Sequence, residues 1–89
     1  MNFETFAMEH PWATKIVKSK LLIRFLEYLS DERSLEEIER AFPELEPGDI
    51  QKALRVLSKI GVVSANSEKF SLTELGKEFI RAYKDTFGA

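Results

Sequence analysis

Lys52, Arg55 and Lys59 follow one another at i, i+3 and i+7, so in a helix their charges share one face. A row of cations at this spacing suits phosphate chemistry: it neutralises backbone oxygens, while neighbouring Gln51 and Ser58 are able to hydrogen-bond to bases or phosphates. The same row also describes an ordinary solvated helix surface, so its meaning depends on the elements around it. Nothing else in the chain offers a comparable constellation. His10 is the single histidine and there is no cysteine, which leaves no zinc set and no dependable general base. Glu36, Glu37, Glu44 and Glu46 are able to supply carboxylates to a metal or an acid–base pair, yet a solvated acidic helix and turn account for them without special geometry. Neither a phosphate-cradling glycine loop nor a dinucleotide fingerprint is present. The expectation is therefore no catalytic residue, no metal, no cofactor and no enzymatic activity.

The basic row lies on a helix predicted over residues 49–60. Ile50, Ala53, Leu54, Leu57 and Ile60 mark its core side, and Pro47 suits a helix start. Gly61 stands where a chain leaving a helix most easily takes a positive φ. An earlier helix is predicted from Leu35, because Ser34 and Glu37 form a capping box; Leu35, Ile38 and Phe42 are its inner stripe, and Pro43 ends it. Residues 43–48 make the turn between the two. Ahead of both, Pro11 is able to open a helix whose core face is Leu22, Phe25, Leu26 and Leu29. Lys18 falls on that apolar face if the helix is continuous, so either the helix starts near Ser19 as N-cap or Lys18 snorkels.

After Gly61, Val62–Val63 and Phe70–Leu72 read as two strands joined through residues 65–69, and a short strand near Arg33 is a further option. Thr73 caps a last helix, residues 74–87. Its apolar members Leu75, Phe79, Ile80, Ala82, Tyr83 and Phe87 spread over about 160° at 100° per residue, wider than one core face requires. Leu26, Leu35, Ile38, Leu54, Leu57, Val62 and Leu72 are the expected core.

The residues 57–63, Leu-Ser-Lys-Ile-Gly-Val-Val, and 70–77, Phe-Ser-Leu-Thr-Glu-Leu-Gly-Lys, resemble a run shared by many prokaryotic winged helix-turn-helix transcriptional regulators, archaeal and bacterial. The resemblance implies a mainly α fold with a small β-hairpin: a three-helix core, a two- or three-stranded wing and a C-terminal helix. It divides a single domain, 1–89, into an aromatic N-terminal segment (1–12), a helix-turn-helix (35–60), a wing (62–72) and the last helix (74–87). It further implies binding to double-stranded DNA, with helix 49–60 as recognition helix and Gln51, Lys52, Arg55, Ser58 and Lys59 as contacts; Ser67 and Lys69 in the wing turn would touch the neighbouring backbone. The residues 53–63 and 70–79 also resemble the N-terminal dimerisation domain of small-molecule O-methyltransferases, although nothing here would bind their methyl donor. That second resemblance implies a protein-interaction or dimerisation module without nucleic acid.

Charge distribution bears on the choice. The formal net charge is −2, but residues 27–50 hold nine acids against Arg33 and Arg40, whereas residues 51–69 return to +3. A basic band running from Lys20 and Arg24 to the 49–60 stripe would favour DNA; separation by Glu36–Glu39 would favour a protein partner. The surplus apolar arc of the last helix calls for a cover, either the aromatic N-terminal segment or a second subunit. A homodimer through Ile80, Tyr83 and Phe87, with Phe3 and Phe6, is the expected assembly. With 89 residues, 44% of them hydrophobic and 31% charged, the chain suits one small globular domain; its apolar runs are too short for a membrane span and Met1 opens no signal-peptide series. The cytoplasm is the expected compartment.

Overall fold

The computed structural model describes residues 2–88. Its order is α1 (Phe3–Glu9), α2 (Ala13–Val17), α3 (Lys20–Tyr28), β1 (Arg33–Ser34), α4 (Leu35–Ala41), α5 (Pro47–Ile60), β2 (Val63–Asn66), β3 (Lys69–Leu72) and α6 (Glu74–Phe87). The fold is mainly helical, with a small antiparallel sheet ordered β1-β3-β2. Local signals account for most boundaries. Asn2 caps α1 and Ser19 caps α3. Ser34 and Glu37 close both arms of the capping box on α4. Gly61 takes the left-handed φ of 101° that ends α5.

Of the two alternatives at Lys18, the Ser19 cap holds: the Ser19 hydroxyl accepts from the Leu22 N–H at 3.1 Å, α3 starts after it, and Lys18 is exposed in a turn. Two other expectations change. Helix α5 begins at Pro47, two residues before the expected Asp49, because proline's fixed φ suits the first helical position. The N-terminal segment is itself a helix, and it lies against α6, with Phe3 and Phe6 packed edge-on or tilted against Phe79 at ring separations of 6.0 and 5.9 Å. The Phe3 N–H donates to Thr86 Oγ1 at 2.7 Å. This contact covers much of the surplus arc of α6 from within the same chain. Of the five residues assigned to a dimer interface, Phe3, Phe6 and Ile80 are buried intramolecularly; Tyr83 is half-buried and Phe87 stays 56% exposed.

A single buried cluster includes Phe6, Ala13, Leu26, Ile38, Leu57, Val62 and Phe79, with Phe25 and Phe42 in ring contact at 5.2 Å. The expected core holds except for Leu35, which is partly exposed beside Phe70. At the base of the hairpin, Thr73 joins three elements. Its N–H donates to the Val62 carbonyl at 3.0 Å, its hydroxyl donates to the Gly61 carbonyl at 2.5 Å, and the same oxygen accepts from the Gly76 N–H at 3.1 Å. These bonds fix the hairpin relative to α5 and α6.

The hairpin turn is tighter than the 65–69 connection expected from sequence. Asn66 pairs with Lys69, leaving Ser67 and Glu68 as a two-residue loop with φ of 51° and 66°. Two left-handed residues in succession match the twist of the flanking strands, but asparagine and glycine fill such turns more easily than serine and glutamate. Glu68→Gly is expected to raise stability by about 0.5–1 kcal/mol, the relief of left-handed strain less the added chain entropy. Urea unfolding of the two proteins measures it.

Candidate nucleic-acid interface

Ile50, Leu54 and Leu57 bury the inner face of α5, and this fixes the outer face. Gln51, Lys52, Arg55, Ser58 and Lys59 are all exposed, as the helical spacing requires. Between Ile50 and Ile60 there is no acidic residue, and among the described residues no carboxylate forms an ion pair with Lys52, Arg55 or Lys59. The three cations therefore stand in a row with their charge available to a partner.

Two grooves border this ridge. On the hairpin side, Leu35, Leu54, Ala65 and Phe70 line a depression of about 280 Å³, edged by Gln51, Arg55 and Ser58. On the other side, α2 and α3 meet α5 around a groove of about 390 Å³ that Lys15 and Lys52 both line. Val56, at 48% exposure, sits beside the stripe on this side. Lys15 was not foreseen next to α5. The conflict at Lys18 was the available signal, because only a chain that breaks there turns α2 towards α5.

Lys20 and Arg24 do not extend the stripe. They line a separate depression with Tyr83 and Lys84, and the Arg24 guanidinium meets Glu44 at 3.2 Å while lying 5.4 Å from the Phe42 ring centre. The carboxyl of Glu44 is held below its ordinary range by the N–H of its own backbone and by Arg24. No continuous basic band links α3 to α5 through these residues. The hairpin contributes little positive charge either: Ser67 is exposed at the turn, next to Glu68, and Lys69 on β3 lies opposite Ser34 of β1.

Within the acidic middle of the chain, Glu37 has a structural partner in Ser34. The Ser34 N–H donates to Glu37 Oε1 at 2.8 Å, and the Ser34 hydroxyl accepts from the Glu37 N–H at 3.2 Å. The bond from the Ser34 backbone N–H, with a smaller contribution from the Ser34 hydroxyl, holds the Glu37 carboxyl below its ordinary value, and Arg33 and Lys69 add through their charges. A depressed carboxyl stabilises the fold above its unfolded pKa, and that contribution disappears as pH falls through the lower folded value. Acidification below the usual glutamate range is thus expected to weaken the fold. Ser34→Ala is expected to remove about 1 kcal/mol at neutral pH through the lost cap while keeping most of the acid-side loss, because the backbone N–H that holds the Glu37 carboxyl remains. Unfolding curves at neutral pH and near about pH 3 test both statements. His10 packs against the Phe6 and Trp12 rings, at 4.5 and 5.5 Å. Among the described residues, no three potential metal-ligating side chains converge, and no helix is long and apolar enough to cross a membrane.

No family model, no curated protein and no solved structure matches this chain. Its function has to be argued from the geometry.

Proposed function

We propose that the chain is a winged-helix DNA-binding domain, of the kind that serves transcriptional regulation, with α5 as recognition helix. The observation that carries this reading is the row Lys52, Arg55 and Lys59, without ion-pair partners among the described residues, on the exposed ridge of a helix that a hairpin flanks. The element order supports it: α3, β1, α4, α5 and then the β2–β3 hairpin follow the winged-helix sequence of elements, with β1 as the third strand. In this reading Lys52 and Lys59 neutralise phosphates, Arg55 reads a base edge, and Gln51 and Ser58 add hydrogen bonds. Ser67 and Lys69 play a lesser part, since Glu68 opposes phosphate at the turn and Lys69 lies within the field of Glu37. The break between this ridge and Lys20 and Arg24 counts against DNA, since a continuous basic band was the feature expected to favour it. Binding is therefore expected to be modest and steeply salt-dependent, on a positive ridge that stands alone in a chain of net charge −2.

Two subunits are proposed to bind together, joined through the exposed Phe87, with Tyr83 beside it. Three bases per subunit give a slope of log affinity against log salt of about −5 for a dimer, and about half that for a monomer. Gel shifts of random genomic duplex across a salt series read this slope. Arg55→Ala is expected to lose about 1–3 kcal/mol with relaxed specificity, and the triple alanine variant of Lys52, Arg55 and Lys59 to lose the shift altogether. A wild-type protein that fails to shift duplex at low salt, or a triple variant that binds equally well, rejects the reading. A protein partner then takes the place of DNA, for which the half-exposed Val56 beside the stripe is the specific observation.

A further inference from the structure

We propose that the groove between α2, α3 and α5 binds a small amphipathic monoanion, an aliphatic carboxylate of medium chain length, and that this ligand competes with nucleic acid for Lys52. The groove walls are apolar: Trp12, Ile16 and Leu22 face Val56 and Ile60 across a volume of about 390 Å³, within the range that holds small organic ligands. Val56 leaves 48% of its surface in water there, and an apolar body laid across it would remove that exposure. Lys15 and Lys52 line the same groove, both exposed, and neither has an ion-pair partner among the described residues. The groove surface is almost wholly apolar, so the lysines lend it their stems and keep their ammonium groups towards water at its mouth, which matches a ligand that has an apolar tail and one negative head.

Charge also sets the size of the ligand. Asp49 lines the groove, and Glu44 and Glu46 stand just before it in the chain, so an acidic peptide long enough to cross the turn would meet carboxylates. A single carboxylate has two lysines to set against the one acid of the groove, Asp49, while screening over about 8 Å weakens acids beyond it. The link to α5 follows from Lys52, which belongs both to the groove and to the proposed phosphate contacts. That competition rests on the DNA-binding reading; the ligand site does not.

Trp12 is the only tryptophan in the chain and lines the groove, so its fluorescence reports occupancy without a label. Octanoate, below its micellar range, and its uncharged analogue octanol are titrated against the full chain in the absence of DNA. The expected result is a saturable change in Trp12 emission with octanoate, with octanol about fivefold weaker, and loss of that preference in Lys15→Ala/Lys52→Ala. Val56→Asp, which keeps an exposed position exposed, is expected to weaken both probes; circular dichroism checks that each variant is folded. No saturable change with octanoate overturns the site. Equal binding of octanol, or a preference that survives in the double variant, overturns the recognition of an anion. If duplex binding has been observed, saturating octanoate should weaken it at least twofold in the wild type, and an unchanged gel shift overturns the competition alone.

Discussion

Phe79→Ala is expected to lower the unfolding free energy by about 4 kcal/mol, the largest effect of any single substitution considered. Phe79 is fully buried, and its ring lies 6.0, 5.9 and 5.7 Å from those of Phe3, Phe6 and Trp12. Truncation leaves a void bounded by three aromatic side chains from α1 and the start of α2. Rigid rings collapse poorly into such a space, so the cavity penalty adds to the lost transfer energy. A domain of this size has about 5 kcal/mol or little more to lose, and the variant should be largely unfolded at 37 °C. Urea unfolding followed through Trp12 provides the measurement. A loss below about 1.5 kcal/mol would mean that α1 does not pack on α6 as described. Phe79→Leu, which retains most of the volume, should lose less than half as much.

Gly76→Ala is expected to cost about 3 kcal/mol, although alanine is the better helix former. The reason is steric. A Cβ on Gly76 points at the backbone carbonyl of Val62 well inside contact distance, with the Leu72 side chain at 3.1 Å on another side. That carbonyl has no freedom to retreat, because it accepts the Thr73 N–H at 3.0 Å, and Thr73 in turn holds the start of α6 through the Gly76 N–H. Relief requires α6 to shift away from the hairpin base. Gly48→Ala supplies the contrast: nothing lies within 4 Å of its would-be Cβ, and the change should stabilise the first turn of α5 by about 0.5 kcal/mol. If the two alanine variants prove equally stable, the close approach of α6 to Val62 is incorrect.

Much of this arrangement was legible in the residues, where the signal was local. Ser34 with Glu37, Gly61 and Thr73 each mark a helix end through a bond or a dihedral that involves near neighbours, and each lies where the sequence puts it. The basic row on α5 was legible for the same reason, since 3.6-residue periodicity decides which side chains face out once Ile50, Leu54 and Leu57 face in. What remained hidden depended on distant partners or on weak turn chemistry. Ser67 and Glu68 carry none of the asparagine–glycine preference that announces a two-residue turn, so the hairpin read as a longer loop. The wide apolar arc of α6 indicated a missing cover but not which one; Phe3 and Phe6 supply it, and the interface proposed between subunits shrinks to the region of Tyr83 and Phe87. Met8, 79% exposed beside Phe87 on the same apolar depression, was not marked by periodicity at all. Lys15 reached the α5 groove only because α2 and α3 are separate helices, a matter decided by one serine cap.

The bond from the Phe3 N–H to Thr86 bridges 83 positions of the chain, and the ring contacts of Phe3 with Phe79 and Phe87 span comparable distances in sequence. Closing so long a loop is entropically slower than forming the neighbouring contacts of α3 to α5 or of the hairpin. The clasp between the two ends is therefore expected to form late, after the rate-limiting step of folding, and Phe3→Leu to speed unfolding while leaving the folding rate nearly unchanged. Interactions absent from the transition state act on the unfolding rate and hardly on the folding rate. The lifetime of the native state, rather than the speed of reaching it, is accordingly expected to depend on the seam between α1 and α6.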